Sequence, residues 1–168
     1  SMQASKSRLF CGTFELLGSI SRKFPSKFTN DRATELRNKM MTTIQSYYKD
    51  DKVPVSLVLI AGAIKGLSDH LENFTPKDDA QFNEILYECM TKFSNPNEHP
   101  DKSSDSNRVA YRNMLILISL HGHLVDEYLF KNFQRWQKVF VQWLSSKTYD
   151  DKNAGVLSMQ TFHTQIAS

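Results

Sequence analysis

Three features of this 168-residue chain predict an all-α fold. Apolar residues recur at three- and four-residue intervals along most of it. Alternating strand patterns are nearly absent. Capping residues and prolines punctuate the chain at helix-sized intervals.

"SRLFCGTFELLGSISRKF" reads as a first helix, with Phe10, Phe14, Leu17 and Ser21 along one side. Pro25 ends it, because proline cannot continue the hydrogen-bond ladder. Thr29-Asn30-Asp31 is a capping cluster for a second helix, whose apolar positions are Ala33, Leu36, Met40, Ile44 and Tyr47. "KDDK", Lys49 to Lys52, breaks the pattern, and Pro54 suits the first turn of a third helix.

That third segment, "PVSLVLIAGAIKGLSDHLENFT", holds the longest apolar run. The run falls short of the roughly 18–20 residues that a membrane span needs, and Lys65 interrupts it. Gly62 and Gly66 lack the Lys-Ser/Thr signature and the preceding strand of a phosphate-binding loop. A central packing helix remains, with Ala61, Gly62, Ala63 and Gly66 letting neighbouring helices approach closely.

A fourth helix is predicted from Thr75 as N-cap and Pro76 in the first turn, with Asp78 and Asp79 near the positive end of the dipole. Its buried side would carry Phe82, Ile85, Leu86, Cys89, Met90 and Phe93. The stretch 94–107 is polar, contains two prolines, and is expected to be a mobile loop. "RVAYRNMLILISLHGHL" follows as a fifth helix, apolar on nearly all sides. "DEYLFKNFQRWQKVFVQWLSS" is a two-faced sixth, with Leu129, Phe133, Trp136, Phe140 and Trp143 opposite Lys131, Arg135, Lys138 and Gln142. "YDDKNAGVLSMQTFHTQIA" makes a seventh, opened by an Asp-Asp pair.

Three compact apolar segments, "FELLGSIS", "LIAGAIKGLSDHL" and "LILISLHGHL", are each followed by a more two-faced partner. Their spacing approximates the roughly 40–50 residues of HEAT-type helix pairs. A closed bundle shares these features, but the interval favours an α-solenoid of HEAT-like antiparallel helix pairs, about seven helices in all. Residues 1–168 then form one fragment of such an array, with Ser1-Met2 reading as a scar of tag removal.

Eleven Phe and two Trp argue against disorder, and Cys11 and Cys89 are too few for a disulfide scaffold. Buried thiols and a cytosolic or nuclear compartment are therefore expected. The net charge of +3 is uneven: residues 1–49 carry nine Lys/Arg against three Asp/Glu, the remainder twelve against fifteen. A basic N-terminal part favours an anionic partner, nucleic acid first, although solvated helix faces produce the same excess.

"FELLGSISRKFPS", "KVPVSLVLIAGAIKGLSDHLENFT" and "DEYLFKNFQRWQKVFVQWLSSK" resemble, in this order, the N-terminal helical-repeat region of the DNA-dependent protein kinase catalytic subunits. The resemblance covers most of the chain and is weakest at the fourth helix and the 94–107 stretch. It implies a segment of a giant nuclear serine/threonine kinase, activated at double-strand breaks and recruited by the Ku heterodimer for non-homologous end joining. The segment would be part of the solenoid cradle around DNA ends and Ku, beside neighbouring repeats, with the kinase domain far C-terminal.

Kinase chemistry needs a glycine-rich loop, a phosphate-binding lysine and acidic metal ligands, and this chain offers no such set. Neither catalysis nor a cofactor is expected. His121 and His123 are two apart, whereas a helical zinc site wants i and i+4. Cys11 and Cys89 lack a local partner histidine signature, and the acidic pairs read as helix starts. The candidates for DNA contact are Arg22, Lys23, Lys27, Arg32, Arg37 and Lys39, with Lys131, Arg135 and Lys138 as a second basic stripe. Such contacts would be to the phosphate backbone and independent of base sequence. The rival reading is a helical-repeat adaptor unrelated to DNA, holding a peptide or helix in an apolar or acidic groove.

Overall fold

The computed structural model describes residues 2–49, 56–95 and 105–166. Among them every regular element is helical: α1 (Met2–Lys23), α2 (Asn30–Lys49), α3 (Leu57–Leu71), α4 (Ala80–Lys92), α5 (Asp105–His121), α6 (Asp126–Lys131), α7 (Phe133–Leu144) and α8 (Tyr149–Thr161). Short tight turns of helix lie at Pro25–Lys27 and Gly122–Val125, and a wider one at Phe162–Ile166. None of these helices is long and apolar enough to cross a membrane. The chain divides into two compact units, residues 1–79 with 103–110, and residues 80–102 with 111–168.

In the first unit α1, α2 and α3 pack together. Thr29 caps α2 by accepting a hydrogen bond from the Arg32 amide at 3.2 Å, and Ala33, Leu36, Met40 and Ile44 are buried as the periodicity predicts. Ser56 caps α3 through the Val58 amide; Pro54, expected in its first turn, lies outside the described residues. The predicted role of α3 as a packing helix holds: eleven of its fifteen residues are buried. Its glycines meet α1 backbone to backbone. A Cβ on Gly62 would lie 2.6 Å from Cys11 Sγ and 2.7 Å from Cys11 Cα, and one on Gly18 would strike Gly66.

These contacts fix direction. Going along α1 from Cys11 through Gly18 to Ser21, the partners on α3 advance from Gly62 through Gly66 to His70, so the two helices run parallel. Along α2 the order reverses, with Ala33 against His70 and Met40 against Gly66. α1 and α2 thus form an antiparallel hairpin, and α3 lies beside α1 in the same sense.

His70 ties all three helices together. Its Nε2 donates to the Ala33 carbonyl at 2.8 Å, since a carbonyl can only accept, and in the neutral ring Nδ1 accepts from the Ser21 hydroxyl at 2.8 Å. That hydroxyl has one hydrogen and a second acceptor, the Gly18 carbonyl, also at 2.8 Å. Burial pushes the His70 pKa down, and nearby Arg37 adds to this against the bond to Ala33. The unfolded chain therefore binds this proton more readily. His70 should contribute stability that is fully present above about pH 6.5 and is lost as the pH falls toward the folded-state value. Urea midpoints measured from pH 7.5 to 5.0 should fall more steeply for the wild type than for His70→Asn; parallel curves would refute the assignment.

The second unit repeats the plan. Phe93 near the end of α4 meets Tyr111 near the start of α5, an antiparallel pairing. α7 and α8 pair likewise, with Trp143 against Gly155 and Phe133 and Phe140 against Phe162. Across the pairs the sense is parallel. Trp136 Nε1 donates to the Tyr87 hydroxyl at 3.2 Å and Trp143 Nε1 to the Ser94 carbonyl at 2.9 Å, which sets α7 along α4. Arg112 bonds Asp151, Ser158 bonds the Leu115 carbonyl and Thr161 the Ser119 carbonyl, which sets α8 along α5.

Three predicted boundaries shift. The fourth helix starts at Ala80, not at Pro76. Thr75 does not cap it, because its hydroxyl donates back to the Leu71 carbonyl and so belongs to the exit from α3. Asp78 then takes a left-handed φ of 51°, which turns the chain before α4. The sixth helix is interrupted at Asn132, whose φ of −115° and ψ of 35° are not helical and whose side-chain amide caps the Tyr128 carbonyl at 2.9 Å. Finally, α5 begins at Asp105, inside the expected 94–107 loop; residues 96–104 of that stretch lie outside the described residues.

Candidate nucleic-acid interface

The basic residues of the N-terminal third gather where α1 turns into α2. Pro25 stops α1, and the turn that follows is bonded at successive steps: the Phe24 amide to the Ile20 carbonyl at 2.7 Å, Lys27 to Phe24 at 3.0 Å and Phe28 to Pro25 at 3.1 Å. Phe28 points inward, its ring 6.4 Å from His70 and 6.1 Å from Phe74. The Asn73 side chain donates to the Arg22 carbonyl at 2.6 Å and the Ser21 carbonyl at 3.2 Å, covering the negative end of α1.

Arg22 is committed to Asp69, 47 residues away, at 3.3 Å. Lys23, Lys27 and Arg32 are exposed, with no ion pair to any described residue. The other two candidates sit apart from this turn. Arg37 is half-buried, and burial lowers its pKa while Asp79 pulls it back up. Lys39 pairs with Glu35 one turn earlier at 3.3 Å. The structure thus brings Arg22, Lys23, Lys27 and Arg32 to one end of the α1–α2 hairpin and places Arg37 and Lys39 along α2.

The second stripe is exposed but split. Lys131 ends α6, whereas Arg135 and Lys138 stand on α7 beyond the break at Asn132, with the Arg135 guanidinium 5.9 Å from the Trp136 ring centre. The rings of His121, buried, and His123, exposed, lie 6.4 Å apart. No group of three or more metal-ligating side chains gathers among the described residues. Burial raises the Cys11 thiol pKa, and Glu15 beside it raises it further, which disfavours a nucleophilic thiolate.

Two features escaped the sequence reading. Phe24 is 57% exposed between the lysines, and a single aromatic next to a proline carries no periodic signal. A groove of about 710 Å³ also opens beside α1 and α2, floored by Phe10, Phe14 and Leu59 and edged by Asp31, Glu35 and Asn38. Its floor comes from positions that the helical pattern assigned to the core, of which Phe10 is 53% exposed.

A family described as DNA-PKcs, N-terminal, matches residues 5–168. The DNA-dependent protein kinase catalytic subunit of Canis lupus familiaris is 26% identical over 160 residues, covering 92% of this chain. That of Mus musculus is 28% identical over 174 residues, covering 98%. The chain spans only 4% of the length of either relative. With the family matched from residue 5 to residue 168, the chain belongs to the DNA-PKcs N-terminal family.

Proposed function

We propose that this chain is a non-catalytic α-solenoid segment of a DNA-dependent protein kinase catalytic subunit, acting in the nucleus as a scaffold. It helps to form the cradle for DNA ends and Ku in double-strand break repair by non-homologous end joining, and it needs no cofactor. The observation that carries this reading is the family match across nearly the whole chain. The packing supports it: in each unit, helices one pair apart run parallel and side by side, as stacked helix pairs require. The exposed Leu9, Phe10 and Leu16 of α1 offer a face for a neighbouring repeat.

Contact with DNA is assigned to Lys23, Lys27 and Arg32, with Arg22 positioned beside them by Asp69. Fluorescence anisotropy of a labelled blunt duplex, titrated with the chain at several salt concentrations, tests this. Binding should weaken with salt, and the triple reversal Lys23→Glu, Lys27→Glu, Arg32→Glu should reduce the slope of log K against log salt by roughly 0.9 for each phosphate no longer neutralised. Absence of binding at low salt to both the duplex and a single strand would remove the DNA surface and leave the adaptor reading, for which the groove floored by Phe10, Phe14 and Leu59 is the supporting observation.

A further inference from the structure

Phe24 presents a large apolar ring to solvent from a turn whose backbone is hydrogen-bonded on both sides of it. An exposed aromatic alone means little. Here it stands between Lys23 and Lys27, with Arg32 in the first turn of the next helix, all three exposed. Phe28, four residues on, is turned inward onto His70 and Phe74. One aromatic anchors the turn and the other is left outside it. Three carbonyls at the end of α1 are occupied: Ile20 by the Phe24 amide, Ser21 and Arg22 by Asn73. Asp69 is neutralised by Arg22, while Asp31 and Glu72, exposed, stand next in sequence to Arg32 and Asn73.

An exposed aromatic flanked by cations that pair with no described residue matches the arrangement by which proteins hold single-stranded nucleic acid. Bases stack on the ring whatever their identity, and cations track the backbone. A blunt duplex keeps its bases stacked on one another and gains little from such a ring. We propose that Phe24 is a stacking platform for an unpaired base at a DNA end, with Lys23, Lys27 and Arg32 holding the flanking phosphates. This rests on the reading above that the turn contacts DNA, and it names the strand form that the turn prefers.

The test uses the 168-residue chain with three labelled probes: an oligo-dT strand, the same strand with abasic sites, and a blunt duplex. Phe24→Ala should weaken oligo-dT binding by about 5- to 150-fold, the range expected for removing one stacked base. Abasic-strand and duplex binding should stay within about twofold, and Phe24→Trp should retain oligo-dT binding. Because Phe24 is exposed, both variants should keep the wild-type circular dichroism spectrum. Lys23→Glu with Lys27→Glu should weaken all three probes. If the strand binds and Phe24→Ala changes nothing, or weakens abasic and dT strands alike, the stacking platform is refuted while DNA contact stands. If none of the probes binds at low salt, the DNA reading itself fails. Binding to anionic vesicles instead, abolished in Phe24→Ala, would assign the turn to a lipid surface and overturn the proposal.

Discussion

Gly66→Val should lower the stability of the first unit by about 3 kcal/mol or more, at or beyond the upper end of ordinary overpacking costs. A Cβ at this position would lie against the Phe14 carbonyl and 2.8 Å from Met40 Cε. The methionine tip can swing away, but the carbonyl belongs to the α1 backbone and cannot yield without separating α1 from α3. Moving α1 also disturbs the Ser21–His70 and Arg22–Asp69 contacts further along the same seam. For a unit of this size such a destabilisation approaches the total stability available, so a broad, early thermal transition by circular dichroism is expected. Gly12→Ala is the matched control. A Cβ there meets nothing within 4 Å, and removing a mid-helix glycine should stabilise by roughly 0.5–1 kcal/mol. An unshifted melting temperature in Gly66→Val would show that α1 and α3 are not in backbone contact.

The glycine seam was legible in outline. Gly62 and Gly66 four apart in an apolar helix announce a close approach, but nothing local names α1 as the partner. Core periodicity was legible along α2 and α7, where Ala33, Leu36, Met40 and Ile44 and then Trp136, Phe140 and Trp143 are buried as predicted, but not along α1, where Phe10 is left exposed. Boundaries were harder where two physical readings of one residue compete. Thr75 followed by Pro76 looks like a helix start, yet the same hydroxyl satisfies a carbonyl of the preceding helix. Asn132 lies in an apolar repeat that would carry a continuous helix, and only the three-dimensional path shows its amide capping Tyr128. At the candidate interface the charges were visible and only part of their pairing was. Glu35 stands four residues before Lys39, a spacing that one helix brings together, whereas Asp69 is remote in sequence from Arg22 and reaches it only through the fold.

The second large effect is expected in the other unit, at Trp136. Its side chain is fully buried, its ring lies 5.9 Å from Phe140 and 6.0 Å from Tyr87, and its Nε1 donates to the Tyr87 hydroxyl. Trp136→Ala should cost about 3–5 kcal/mol, because the cavity spans the junction where α7 lies along α4. The hydrogen bond is the smaller part of this. Tyr87→Phe removes it while keeping the ring stacked 5.0 Å from Tyr128, and should cost about 1 kcal/mol. Trp143, the other tryptophan of the chain, is in the same unit and survives the substitution as a fluorescent reporter. Its emission should shift to the red at a markedly lower urea concentration in Trp136→Ala than in the wild type. If the midpoint moved no further in Trp136→Ala than in Tyr87→Phe, the indole would have to be contributing only its hydrogen bond. The parallel α4–α7 seam would then be held elsewhere, with the Trp143 bond to the Ser94 carbonyl the next contact to remove.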